Sequence, residues 1–146
     1  MAELRGTTDP EELTSIVDFI HDCRFDKEKI VFHPETTVLE IPFYREASEK
    51  SRVEREFLFF KKRSVPVVEC ILKILHVENY QIHEGSQIGP GPEDFFNIIT
   101  YDKKEKQLWI STVISKGISV KVRDFEVSIE DIGRVVEEKS RLSFLA

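Results

Sequence analysis

Between Phe95 and Ile129 apolar and polar positions alternate in short runs, FFNIITYDKKEKQLWISTVISKGISVKVRDFEVSI, separated by tight polar breaks. Side chains on a strand alternate between two faces, so a period of two predicts strand and argues against a helix. Phe96, Ile98 and Thr100 alternate with Phe95, Asn97, Ile99 and Tyr101. That run is apolar on both sides, as expected of a strand central to its sheet. Leu108, Ile110, Thr112 and Ile114 share one face of the next run, and Trp109, Ser111 and Val113 share the other. In the third run Ile118, Val120 and Val122 face a core, while Ser119, Lys121 and Arg123 face water. The breaks are Asp102 to Lys106 and Ser115 to Gly117, where Gly117 can take the positive φ that hairpin turns often need. After a bend near Asp124, Phe125, Val127 and Ile129 repeat the alternation. The stretch predicts an antiparallel meander over 95–129.

Upstream, residues Met1 to Thr8 carry no pattern and are expected to be loose. A helix is predicted over about 10–23. Pro10 suits a first helical turn, Glu11 and Glu12 favour the positive end of the helix dipole, and Leu13, Ile16, Val17 and Ile20 form one stripe. Lys29 to His33 and Thr37 to Tyr44 read as a hairpin turning through Pro34, Glu35 and Thr36. Pro42 cannot donate to a ladder, which places it at an edge or beside a bulge. Arg45 to Glu56 is the most polar stretch and reads as an exposed loop or extended strand ends. Phe57 to Phe60 (FLFF) reads as a buried strand emerging at Lys61-Lys62-Arg63. Val65 to His83 is ambiguous between helix and strand; Pro66 and the β-branched content favour a strand, bent near Asn79. Glu84 to Glu93 holds three Gly and two Pro and reads as an irregular connection.

The C-terminal segment is predicted to be a helix over about 129–140. Ser128 can serve as N-cap with Asp131 three residues on, and Ile129, Ile132, Val135 and Val136 give a partial stripe. Gly133 weakens that helix by about 1 kcal/mol relative to Ala. Together these elements predict an α+β fold: one domain over 1–146, a mainly antiparallel sheet of about six or seven strands, and two helices packed on it.

Composition narrows the function more than it defines it. A chain of 146 residues can bury a sizeable core, and eleven Phe against one Met suggest a core built on aromatic rings. The net charge of −6 disfavours nucleic acid and anionic membranes as partners. No apolar run approaches the length of a membrane span, and MAELRGTTDPEEL lacks an apolar signal region, which predicts a cytoplasmic protein. Cys23 and Cys70 sit among apolar neighbours and read as free packed thiols.

Each candidate chemistry is weaker than its structural alternative. On a helix, His21 and Cys23 would point roughly 200° apart, and no paired zinc-ligand spacing is present, so no metal is expected. A nucleophilic thiol needs an electropositive setting, whereas Cys70 lies among Val67, Val68, Ile71 and Leu72. The Gly85 to Gly91 loop lacks the Lys-Ser/Thr ending of a phosphate loop, and no cofactor is expected. Carboxylate pairs such as Glu93-Asp94 have no partner marking them as acid and base, and no catalytic residue is assigned. The basic run 61–63, with Arg52, Arg55 and interleaved Phe, has the composition of a single-strand nucleic-acid platform, but core aromatics beside a solubilising flank are the simpler reading.

Two functional readings follow. The first is a non-catalytic protein-binding or assembly module that holds another protein, or a second copy, through a sheet face or edge; Trp109, Tyr101 and Phe57 are its candidate interface residues. The second is an enzyme or ligand-binding domain with a pocket between sheet and helix, drawing on His76, His83 and Tyr80, with His33 and Asn97 in support.

Overall fold

A computed structural model describes residues 2–57, 60–85 and 91–144. Eleven strands and one α-helix lie among them. In chain order these are β1 (Ala2–Thr7), α1 (Leu13–Ile20), β2 (Arg24–Asp26), β3 (Val31–His33), β4 (Val38–Glu46), β5 (Arg52–Phe57), β6 (Phe60–Ile74), β7 (Val77–His83), β8 (Glu93–Asp102), β9 (Gln107–Thr112), β10 (Gly117–Val122) and β11 (Val127–Phe144). The strands form one antiparallel sheet in the order β1-β11-β6-β4-β2-β8-β9-β10-β7, with β3 added to β4 and β5 to β6. The expected α+β fold with two helices and six or seven strands is therefore incorrect: the described residues are mostly antiparallel sheet with a single α-helix.

The error is concentrated in the C-terminal segment. Residues expected to form a helix over 129–140 instead lie inside β11, paired with β6 from Val127↔Ile74 to Phe144↔Phe60. The register slips between Asp131 and Arg134 and again between Val135 and Glu137. Each bulge inserts residues that interrupt the two-residue period. Ile129, Ile132, Val135 and Val136 consequently fall at spacings that imitate a helical stripe. Gly133, at φ +78°, supplies the left-handed backbone that the first bulge requires.

Strand pairing also orders the N-terminal segment expected to be loose. β1 has little intrinsic strand preference, yet it pairs with β11 from Ala2↔Asp131 to Thr7↔Val127. Beyond it, Asp9 caps a short 3-10 turn at Pro10–Glu12 by accepting from the Glu11 amide at 3.0 Å. Helix α1 follows at once and buries Leu13, Ile16 and Ile20. Asp22, at φ 64°, prevents the helix from reaching residue 23.

The meander appears as β8, β9 and β10, joined at Asp102↔Gln107 and Gly117↔Ser111. β11 then leaves this group for the opposite end of the sheet, where it lies between β1 and β6. The ambiguous segment 65–83 is two strands. The chain turns at Leu75-His76, with His76 at φ 56°, rather than near Asn79. Pro42 falls between the stretches of β4 paired with β3 and with β2, a gap that suits a residue without an amide donor.

The sheet curls around its apolar face. β7, its last strand, returns to the β3–β4 turn, where the Val77 amide donates to the Thr37 carbonyl at 2.9 Å. Phe32 and Tyr80 approach across the same junction, with ring centroids 6.1 Å apart. Inside, Phe96 stacks on Phe25 at 4.4 Å and meets Phe43 edge-on at 5.7 Å. Leu39, Ile41, Leu72, Ile74, Leu108 and Ile110 complete a fully buried layer, with Ile16 and Ile20 of α1 in the same cluster.

Candidate functional site

The distal parts of β5, β6 and β11 form a three-stranded ribbon. Its register sets Arg52↔Ser64↔Ser140 in one row and Phe57↔Phe60↔Phe144 at the tip. β5 ends at Phe57 and β6 begins at Phe60, directly opposite; the buried strand expected over 57–60 falls on residues 58 and 59 and the Phe57 side chain, which lie outside the described residues. The ribbon carries several of the chain's most exposed apolar side chains. Leu142 is 65 % exposed, Val135 51 % and Val53 47 %, whereas Phe25, Phe43 and Leu72 in the sheet interior are fully buried.

Both outer strands of the ribbon have edges without a partner strand among the described residues. β1 covers β11 only as far as Asp131, which leaves Arg134 to Phe144 unpaired on that side. β5 pairs only with β6. An open strand edge presents a row of amides and carbonyls that another chain can continue. Its charged side chains are held in cross-strand ion pairs. Arg134 reaches Glu69 at 2.6 Å, Lys139 reaches Glu46 at 3.5 Å, and Arg141 also bonds Glu46. Lys61 and Lys62 face Glu56 and Glu54 at 3.8 and 3.7 Å. The basic run 61–63 is thus partly neutralised by the neighbouring β5.

The three interface candidates lie apart. Trp109 is half-buried on the outer face of β9, opposite Ser119, and its ring packs where a side chain on Gly117 would stand. Tyr101 lies against Phe125 at 4.9 Å, and burial raises its hydroxyl pKa. Phe57 closes β5 at the ribbon tip, and its side chain lies outside the described residues.

The three pocket candidates do not converge either. Tyr80 is opposite Val120 on the core face, whereas His83 sits on the outer face, 5.1 Å from Trp109, with Nε2 at 2.9 Å from Ser119 Oγ. His76 is at the β6–β7 turn, 3.0 Å from Glu126. Asn97 offers its carbonyl to His21 Nδ1 at 2.8 Å, and His33 bonds Glu40 within a charge row that continues through Lys73 to Glu130. His33, His76, His83 and the Asn97 carbonyl each have a polar partner, and the Tyr80 ring packs against Phe32.

A cleft of about 880 Å³ opens at the base of the ribbon, between the end of α1 and β4. Asp18, Asp22, Glu46 and Glu49 line it together with Arg45 and Cys23. Arg45 stacks over Phe19 at 4.8 Å and pairs with Glu49 at 2.7 Å. Burial, reinforced by the nearby Cys70 thiol, pushes Cys23 up to about 11. Burial also raises Cys70, although Arg45 beside it acts in the opposite direction. Both thiols are therefore protonated near neutral pH, the unreactive form. Among the described residues no group of three or more His, Cys, Asp or Glu is arranged to hold a metal ion. None of the described helices is long and apolar enough to cross a membrane.

The open ribbon was not legible as a site in the sequence. Its one visible signal was the basic run 61–63 with Arg52, Arg55 and interleaved Phe, and nothing in 134–144 marked that segment as the partner of 60–69. Compared with protein-family models, curated proteins and solved structures, the chain matches none.

Proposed function

We propose that the protein is a non-catalytic protein-binding or assembly module that works through the β5–β6–β11 ribbon. The observation that carries this reading is the conjunction of open strand edges with exposed Val53, Val135, Val136 and Leu142 on one projecting element. Strand addition to such an edge gives affinity through main-chain hydrogen bonds, and the neighbouring side chains give selectivity. Burying apolar side chains adds roughly 25 cal/mol per Å² removed from water. The protonated thiols, unpaired as Cys23 and Cys70, fit a protein that works in the reducing cytoplasm.

A photo-crosslinking residue placed at 142, and in a second variant at 113, tests the reading. Val113 is 61 % exposed on the β9–β10 side of the sheet and serves as the control. Adducts formed from position 142 and not from 113 are expected. Equal yields from both positions, or none from 142, would sink the proposal.

A further inference from the structure

The structure assigns the open edge of β11 a specific occupant: the same edge of a second copy, paired antiparallel about a two-fold axis through Lys139. This rests on the ribbon reading above and names its partner. Two observations carry it: the order of charges along the edge and the position of its exposed apolar residues.

The edge reads Arg134-Val-Val-Glu-Glu-Lys-Ser-Arg-Leu-Ser-Phe144. Past the second bulge its polar part runs from acid, Glu137 and Glu138, to base, Lys139 and Arg141. Antiparallel pairing with an identical strand reverses that order, so the acidic end of one copy meets the basic end of the other. A two-fold axis perpendicular to the sheet keeps each face continuous between copies. Centred on Lys139, it sets Glu137 opposite Arg141 and Glu138 opposite Ser140, each twice. The same register brings Val136 level with Leu142, two side chains that are 41 % and 65 % exposed in the single chain. Lys139 meets its own copy on the axis, where each ammonium lies 3.5 Å from its own Glu46, a carboxylate that it shares with Arg141 until Glu137 of the second copy takes up Arg141.

The other open edge offers less to a second copy. β5 is six residues long, its register is broken by a bulge between Val53 and Arg55, and its Glu54 and Glu56 are already paired with Lys62 and Lys61 of β6. The open edge of β11 runs from Arg134 to Phe144, and from 137 to 141 it holds two acids and two bases in the order that antiparallel self-pairing matches. The longer edge is the one that can close on itself. Because an isologous contact uses one patch on both partners, assembly stops at the dimer.

Charge exchange tests this directly. One variant carries Glu137→Lys with Glu138→Lys, and the other carries Lys139→Glu with Arg141→Glu. Light scattering on a sizing column should find the wild-type protein at twice the chain mass and each variant alone at the monomer mass. An equimolar mixture of the two variants should return to the doubled mass, a rescue that misfolded protein could not give. Lys139→Cys should form a disulfide-linked dimer on mild oxidation, because the axis residue faces itself at cross-strand distance. Glu137→Cys, displaced from its own copy, should not. A wild-type monomer at every concentration up to the solubility limit overturns the inference, as does a dimer that both charge variants leave intact. If position 142 then crosslinks to a protein of different mass, the ribbon remains a binding element and only its assignment to a second copy fails. If position 142 crosslinks to nothing, the ribbon reading fails too.

Discussion

The two ends of β6 show what the same strand does with and without a covering layer. From Val68 to Ile74 it lies between β4 and β11, and Val68, Cys70, Leu72 and Ile74 face a core shared with α1 and the aromatic cluster around Phe96. From Phe60 to Arg63 its neighbours are β5 and the end of β11. There its side chains form cross-strand ion pairs with Glu54 and Glu56, and the apolar residues of the adjoining strands stay exposed. Hydrogen bonding within the sheet continues throughout, but apolar burial does not. Backbone pairing alone can extend a strand beyond its core, and what it extends becomes available surface. Stability should accordingly be concentrated in the body and recognition in the ribbon.

The largest effect that could break this division is in the body. Phe96 is 1 % exposed and contacts two other rings, Phe25 at 4.4 Å and Phe43 at 5.7 Å. Phe96→Ala removes both ring contacts and leaves a cavity between β2, β4 and β8. Such truncations destabilise by about 3–5 kcal/mol. Denaturant unfolding followed by fluorescence of Trp109 should show the midpoint falling with an unchanged slope. A loss below about 1 kcal/mol would mean that the cluster is not the centre of stability and would erase the contrast.

A smaller effect distinguishes polar from apolar support of the body. Asp94 is fully buried, and its carboxylate accepts from the amides of Phe95 at 2.8 Å, Ile114 at 2.7 Å and Ser115 at 2.9 Å. Burial alone would raise its pKa, but the amide donors from Ile114, Ser115 and Phe95 together outweigh burial and hold it below the ordinary carboxylate value. A depressed folded pKa stabilises the protein above the unfolded pKa, and that contribution disappears as pH falls through the folded one. Asp94→Asn should therefore cost about 1–2 kcal/mol near neutral pH. The gap between wild type and variant should close on acidification below about pH 4. A gap that stays constant with pH would show that the carboxylate's charge plays no part in holding the β9–β10 loop.

Sequence legibility follows the same boundary. Only the β9–β10 part of the expected meander was fully legible, because Leu108 and Ile110, or Ile118 and Val120, alternate without interruption; in β8 a bulge between Phe96 and Ile99 buries Phe96 and leaves Ile98 exposed, so the faces expected there do not hold. Helix α1 could be read because Pro10 and the stripe of Leu13, Ile16 and Ile20 lie within three turns. The ribbon could not. Its partners are up to 84 residues apart, as in Phe60↔Phe144, and the bulges at 132–133 and 136 disguise the strand period of β11. β1 was hidden for another reason: Ala-Glu-Leu-Arg-Gly-Thr has little strand preference and is ordered by the edge it joins. The candidate residues failed to gather because strand alternation separates them. Tyr80 and His83 are three residues apart on β7, so they point to opposite faces.

The smallest expected effect sharpens the contrast most. Leu142 is 65 % exposed in the single chain, so it has little burial to lose. Leu142→Ser should leave the unfolding midpoint of dilute protein within about 0.5 kcal/mol of wild type. The same substitution removes the apolar side chain that lies opposite Val136 in the paired edge, and there it should weaken association. Measured at low concentration by chemical unfolding and at high concentration by light scattering, one variant should be silent in the first experiment and defective in the second. A variant that unfolds several kcal/mol more easily when dilute would show the ribbon to be part of the stabilising core. One that assembles like wild type would show that Leu142 takes no part in the contact. Only the split result, unchanged stability with impaired assembly, fits a ribbon whose exposed surface is kept for a partner.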